Sequence, residues 1–422
     1  MSARRTLLNT FLSLTGAHAA MAAFSFATTI LLANSLGAEV FGQYSYALAI
    51  GGYILTIAFV GMEQTQVRDL VQFPARTNEY VSGGFILAAI MLLLASLGLL
   101  LSNVVLPAEN SLSLVGVVLA IAIGAKALDL RSFYDASDRM KLHVSFLTIE
   151  RFIYLGAVWL VFLFYRADLS IRTLAILLTV STVIGLVMQY VRASKNVRIR
   201  INSQALNRSK SILRNNLWIW GALLATLSFG GLSKIALRNI SGDAELGGYA
   251  VAWQVVTVGS LLMSQVGQIG NPRLARVVVG DIDVPLRNRF MFRYFMISAA
   301  AGAIVGLPAI LFPHAILGLF REEYISVAPA MRILGGYAIV IGISQVATQY
   351  LVAVRKEAIY LVIVIATGLL GPILFWALIP TWASTGAAAA VLISHSTGIL
   401  LLVFVVLVHM RRTERPQVKP TE

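Results

Sequence analysis

Ionisable side chains are scarce in this chain, and several stand inside long apolar runs, where a charge needs a partner, water or a route to an interface. Lys126 and Asp129 lie three residues apart, a spacing that puts both on one face of a helix. Glu150 and Arg151 open the next apolar run, and the four charges sum to zero. Two readings are open for them. One is a local network tying neighbouring helices together, with the Lys126 stem long enough to reach toward the membrane edge. The other is the wall of a cavity, in which the carboxylates orient Lys126 and Arg151. Arg68, Lys234, Arg273 and Arg332 have no acid close by within their runs. Snorkelling explains each alone. Taken with Lys126 and Arg151, they would give a cleft positive walls at both faces. Such walls suit a diphosphate, whose oxygens a guanidinium can hold in pairs, and repel a hydrophobic cation.

His18 and His395 fall near the middle of their runs. Each is open to two roles, proton coupling or hydrogen-bonded packing. Gln254, Gln265 and Gln268 recur on one helical stripe, and Gln345 and Gln349 on another. These amides suit sugar hydroxyls, and interhelical hydrogen bonding explains them equally well. Other chemistry is missing from the sequence. There is no cysteine, no Gly-Lys pair for a phosphate loop, no helix pairing two histidines four apart and no Gly-x-Ser-x-Gly elbow. Connections outside the apolar runs leave no room for a catalytic domain. No enzyme activity, cofactor or metal site is therefore expected.

The elements that must position these residues are membrane helices. The 422 residues are 58% hydrophobic and only 12% charged, against about 25% charged in an ordinary soluble domain. About 20 apolar residues in a helix cross the hydrocarbon, and open sheet edges cannot be tolerated there. Twelve runs meet that length: 9–33, 41–63, 80–101, 112–133, 144–165, 171–190, 217–237, 248–270, 294–317, 328–354, 358–379 and 384–409. Basic residues concentrate in the tails and loops of one side, while the other holds Arg166, Arg172, Arg238 and Arg321. That asymmetry places both termini in the cytoplasm. It also accounts for the net charge of +14 without nucleic acid. Arg4 and Arg5 resemble part of a twin-arginine signal but read as the anchor of an uncleaved first helix.

The chain is written twice. Gly37-Ala-Glu-Val-Phe-Gly42-Gln-Tyr44-Ser-Tyr-Ala47 is matched by Gly242-Asp-Ala-Glu-Leu-Gly247-Gly-Tyr249-Ala-Val-Ala252 at an offset of 205, which also takes Arg68 to Arg273. The expected architecture is all-α and integral to the membrane. Twelve transmembrane helices form two parallel six-helix halves, residues 1–205 and 206–422, around a central cavity. Between the halves runs a stretch with seven basic residues (Arg192, Lys195, Arg198, Arg200, Arg208, Lys210, Arg214) and no acid. It either anchors the chain at anionic headgroups or gathers an anionic lipid substrate there. The small-residue run Gly386 to Ala390 should pack closely on a neighbouring segment.

On Leu36-Gly37 with Phe41-Gly42-Gln-Tyr44 and Ala47, on Gly247-Gly-Tyr249-Ala-Val-Ala252, and on Ile379-Pro380 followed by Gly386 to Ala390, the sequence resembles the oligosaccharide-lipid and polysaccharide export proteins. It looks like the O-antigen flippase type of the superfamily that also holds multidrug exporters and lipid II flippases. The resemblance implies an inner-membrane flippase. Its substrate would be a polyprenyl-diphosphate-linked oligosaccharide, the repeat unit of an O-antigen or exopolysaccharide, moved by alternating access among membrane lipids. A glycan polymerase is implied as partner. A cation-coupled multidrug exporter of the same superfamily is the alternative. Where many relatives carry an acid in helix 7, Ser233-Lys234 stands here, so no ion-coupling role is carried over to that position.

Overall fold

The computed structural model describes residues 2–105, 111–165, 169–279, 284–354 and 356–414. Among the described residues the regular structure is entirely helical. In chain order the α-helices are α1 (Ser2–Phe59), α2 (Met62–Gln72), α3 (Thr77–Val105), α4 (Leu114–Gly124), α5 (Arg131–Ala136), α6 (Met140–Phe164), α7 (Ile171–Ala193), α8 (Ser203–Leu227), α9 (Ser233–Ser241), α10 (Asp243–Val279), α11 (Val284–Leu311), α12 (Pro313–Leu317), α13 (Ala328–Ala353) and α14 (Glu357–Glu414). Eight helical stretches within the described residues are long and apolar enough to cross a membrane, among them Ala23–Phe59 and Ala358–Met410, each of which contains a sharp kink.

The kinks have local causes. Gly37 sits at φ 76°, ψ 169°, and Gly242, its match at the 205 offset, at φ 89°, ψ 175°. Positive φ is open to glycine at little cost, so both turns between helices are made by one residue. Ala383 makes the same kind of break in α14 at φ 45°, ψ −125°, with a Cβ to accommodate. Ser113 and Ser170 cap α4 and α7, their side-chain oxygens accepting from the Gly116 and Thr173 amides at 3.2 and 3.3 Å.

The expected spans 41–63 and 294–317 break near their ends, at Val60–Gly61 and at Phe312, and 112–133 breaks in its middle. Over 112–133, α4 ends at Gly124, a 3-10 turn covers Ala125–Leu128, Asp129 is extended at φ −61°, ψ 144°, and α5 restarts at Arg131. The face shared by Lys126 and Asp129 in an unbroken helix therefore does not exist.

The chain divides into two compact units, Ala27–Gly247 and Gly248–Glu422 with Met1–Phe26. In the first, α3 packs on α8, and α7 on both α4 and α6. The two matched turns meet here reciprocally. A Cβ on Gly42 would run into the carbonyl of Asp243, and a Cβ on Gly247 into the carbonyl of Ala38. Because 38 and 42 map onto 243 and 247 at the 205 offset, the two contacts are related as if by a two-fold axis. The basic stretch is pinned to the start of α3. The Arg198 and Arg200 amides donate to Asn78 Oδ1 and Ser82 Oγ, both at 3.0 Å. Arg208 bonds Glu79 Oε1 at 2.8 Å and lies 4.1 Å from the Tyr80 ring centroid.

In the other unit α11 and α13 are held by a seam of small residues. Ser298, Gly302 and Gly306 recur every four positions on α11 and face Gly335, Ala338 and Gly342 of α13, so closely that added Cβ atoms would meet backbone across the seam. Ser298 Oγ donates to the Gly342 carbonyl at 2.6 Å. Lipid supplies no hydrophobic drive for helix pairing, so close packing of this kind does the work. The expected packing of Gly386 to Ala390 is present. Ala387, Ala388 and Ala390 are fully buried, and Gly386 sits against the Leu378 carbonyl.

Candidate functional site

The polar centre of the Ala27–Gly247 unit is built where α4 breaks. In hydrocarbon, backbone groups freed by a break must find partners, and here helices distant in sequence supply them. The Leu130 amide donates to Gln189 Oε1 at 3.1 Å, and the Tyr190 hydroxyl donates to the Leu128 carbonyl at 2.6 Å. Asp129 Oδ1 accepts from the Arg131 amide at 2.6 Å, an Asx-type cap on α5. His143 Nε2 hydrogen-bonds both carboxylate oxygens of Asp129, at 2.8 and 3.1 Å, and Gln189 Nε2 adds a longer bond of 3.3 Å to Oδ2. The Tyr134 hydroxyl closes the ring on the Gln189 carbonyl at 2.7 Å. His143 and Gln189 are buried.

Beside this clamp lies a second cluster. Lys126, on the 3-10 turn, reaches Glu150 Oε1 of α6 at 2.6 Å. The Glu150 side chain is 7% exposed and lies over Gly185 of α7, where any Cβ would meet its carboxylate, while Lys126 is 35% exposed. Glu150, Arg151 and Tyr154 occupy one side of α6 at helical spacing. Tyr154 shares a 3.0 Å hydroxyl contact with Tyr44, and Arg151 is near enough for its charge to act on both tyrosines. Among the described residues no acid bridges Arg151, which is exposed. With Lys126 neutralised by Glu150, the cluster carries one cation in excess beside two phenol hydroxyls. That arrangement can hold an anionic oxygen group and hydrogen-bond hydroxyls next to it.

Asp129 pairs with His143 rather than Lys126, because the break turns the two apart. Arg68 is exposed and bonded to the adjacent Asp69 at 3.0 Å, an acid that, like Arg68 itself, lies past the end of the run 41–63. Lys234 is half-buried at the start of α9, directly after a π turn over Ser228–Leu232. Arg332 is exposed on α13, and Gln345 and Gln349 are half-buried along it. His395 meets the Tyr337 ring edge-on, centroids 5.1 Å apart, in a run of aromatics continuing through Trp253 and Tyr249. The side chains of His18, Gln265, Gln268 and Arg273 lie outside the described residues. His143, Gln189 and the Tyr44–Tyr154 pair escaped the sequence reading. A signal for His143 was present, since it lies seven residues before Glu150 on one helical face.

Solved structures share the fold. An inward-facing multidrug resistance MATE family transporter of the MOP superfamily superposes with a TM-score of 0.72 at 13% identity, over 94% of this chain and 96% of that one. The lipid II flippase MurJ, in an inward closed conformation, gives 0.71 at 11%, over 92% and 87%. A MOP superfamily transporter from Pyrococcus furiosus Vc1, described as having a binding pocket of reverse polarity, gives 0.64 at 11%, over 96% of each chain. No curated protein matches. The family model for polysaccharide biosynthesis proteins matches residues 7–277. Well over half of the chain is thus covered, and the chain, a multi-pass membrane protein with a transporter fold, belongs to the polysaccharide biosynthesis protein family.

Proposed function

We propose that this protein is a flippase that moves a polyprenyl-diphosphate-linked oligosaccharide across the inner membrane, from the cytoplasmic leaflet to the outer one. The observation that carries the proposal is the α6 cluster, a neutralised Lys126–Glu150 pair with Arg151 left over as an exposed cation beside Tyr44 and Tyr154. A diphosphate is the part of such a substrate most averse to hydrocarbon, and a guanidinium can take two of its oxygens at once. Glu150 keeps the Lys126 ammonium in place, and the phenols accept and donate to sugar hydroxyls. Membership of a polysaccharide biosynthesis family and the fold shared with a lipid II flippase support the same reading. Two six-helix halves rocking about a central cavity, with both termini cytoplasmic, would supply alternating access.

The test is glycan export in cells in which only the variant is expressed. The Lys126→Ala, Arg151→Ala double variant should export at least ten-fold less glycan at normal membrane abundance, and Arg151→Lys should retain part of the activity as a single-point charge. Unchanged export in the double variant would remove these residues from the site. Drug resistance conferred by the protein without any surface-glycan defect on its deletion would overturn the substrate.

A further inference from the structure

A polar cavity lies at the opposite end of the Ala27–Gly247 unit from the basic stretch. One wall includes Ile171, the first residue of α7, whereas the basic stretch follows its last residue, about 33 Å away along the axis. The cavity measures about 340 Å³, far more than the ~10–15 Å³ that seats one water. Its chemistry comes from Gln43 and Tyr46, just past the Gly37 turn, from Ser111 before α4, and from Arg238 and Asp243 on either side of the Gly242 turn.

Arg238 is the organising group, its side chain nine-tenths buried. Nε donates to Asp243 Oδ1 at 3.0 Å, Nη2 to the Ser111 carbonyl at 3.2 Å, and the guanidinium carbon stands 4.5 Å from the Tyr46 ring centroid. Nη1 is buried and has no hydrogen-bond partner among the described residues. A charged donor in that condition is rare in folded proteins and asks for an acceptor.

The repeat shows that packing alone does not require this polar set. At the 205 offset, Gln43 corresponds to Gly248, Tyr46 to Val251, Arg238 to Ala33 and Asp243 to Ala38. Both turns have the same backbone geometry and make the same reciprocal glycine contact, yet the matching positions carry only small or apolar residues, with Ala33 and Val251 fully buried. The hydrogen-bonding groups, two from each half, are confined to one of the two places that the repeat relates.

We infer that this cavity is a binding site for a neutral sugar ring, which, on the reading of the protein as a glycan carrier, is a station for the oligosaccharide on the outer side. Arg238 and Asp243, the charged groups among the described lining residues, cancel, so these walls offer a free phosphate or carboxylate no net attraction. Donors from Arg238 and Gln43 are interleaved with acceptors from Asp243, Gln43 and the Ser111 carbonyl. Neighbouring sugar hydroxyls, each a donor and an acceptor, match that alternation. The cavity has room for one or two rings.

The experiment is saturation-transfer NMR on the full-length protein in lipid nanodiscs, a method suited to millimolar affinities, with galactose, N-acetylglucosamine and glucuronate as probes. Gln43→Leu removes the amide at similar volume, and Ile171→Trp adds bulk to the wall without removing a polar group. Either neutral sugar should receive saturation from the wild-type protein, at least as strongly as glucuronate, and both variants should reduce the effect at least five-fold while remaining monodisperse. No transfer to any probe, transfer to glucuronate alone, or transfer indifferent to both variants would overturn the inference. Export by the Lys126 and Arg151 variants is measured separately. Normal dependence on those residues with no sugar signal removes this cavity and leaves the flippase reading standing, whereas a sugar signal without any glycan export phenotype does the reverse.

Discussion

Gln189→Leu isolates what holds the break in α4. The substitution keeps the volume of a buried side chain but removes the acceptor of the Leu130 amide and the donor to Asp129 Oδ2. The second loss is small, because the bond is 3.3 Å long and His143 still holds both carboxylate oxygens. The first leaves a buried N–H without a partner, which costs about 1–3 kcal/mol. Local opening that exposes Leu130 should therefore become easier by the same amount, a factor of about 5 to 150. Hydrogen–deuterium exchange over 125–136 reads this directly. The Leu130 amide should accelerate within that range, while the Arg131 amide, bonded to Asp129 Oδ1, changes far less. Gln189→Glu restores an acceptor for Leu130 but sets a second carboxylate against Asp129, so there the order of sensitivity should invert. If Leu130 exchanges in Gln189→Leu within two-fold of wild type, the clamp is not what stabilises the break.

Other expectations follow from the same contacts. Gly42→Val and Gly247→Val should each lower thermal stability in detergent, by about 1–3 kcal/mol as for overpacking, and by similar amounts, since each Cβ meets a matched carbonyl. Ala383→Gly should raise stability by about 1 kcal/mol, because φ 45° strains alanine and not glycine. A lower melting temperature in that variant would show that Ala383 is held there by packing. Arg208→Ala, losing the Glu79 pair and the Tyr80 face, should weaken the hold on the basic stretch by about 1 kcal/mol. The effect should shrink in high salt, and proteolysis of the stretch in nanodiscs would report it.

Much of the frame was legible because hydrocarbon imposes simple demands. Long apolar runs had to be helices, and the glycines at 37 and 242 announced a repeated turn whose left-handed geometry is the same in both copies. The seam of Ser298, Gly302 and Gly306 is also a small-residue motif, but in a chain with 33 glycines such spacing does not stand out. The break at Ala125–Leu130 was not legible from periodicity. The run through it is apolar, and the partners for its freed backbone come from Gln189 and Tyr190, some 60 positions on. Only Asp129, a residue type that caps helices, hinted that a new helix starts there. Reading Lys126 and Asp129 on one helical face failed for the same reason. Lys126 then found the acid one helix over, Glu150, and Asp129 found His143.

The joint between α11 and α13 has a mechanical corollary. Where main chain rests on main chain there are no rotamers to exchange and no side chain to swing aside, so neither helix can slip past the other by small repacking. The pair behaves as one stiff plate, and any bending during a transport cycle must fall on segments outside it.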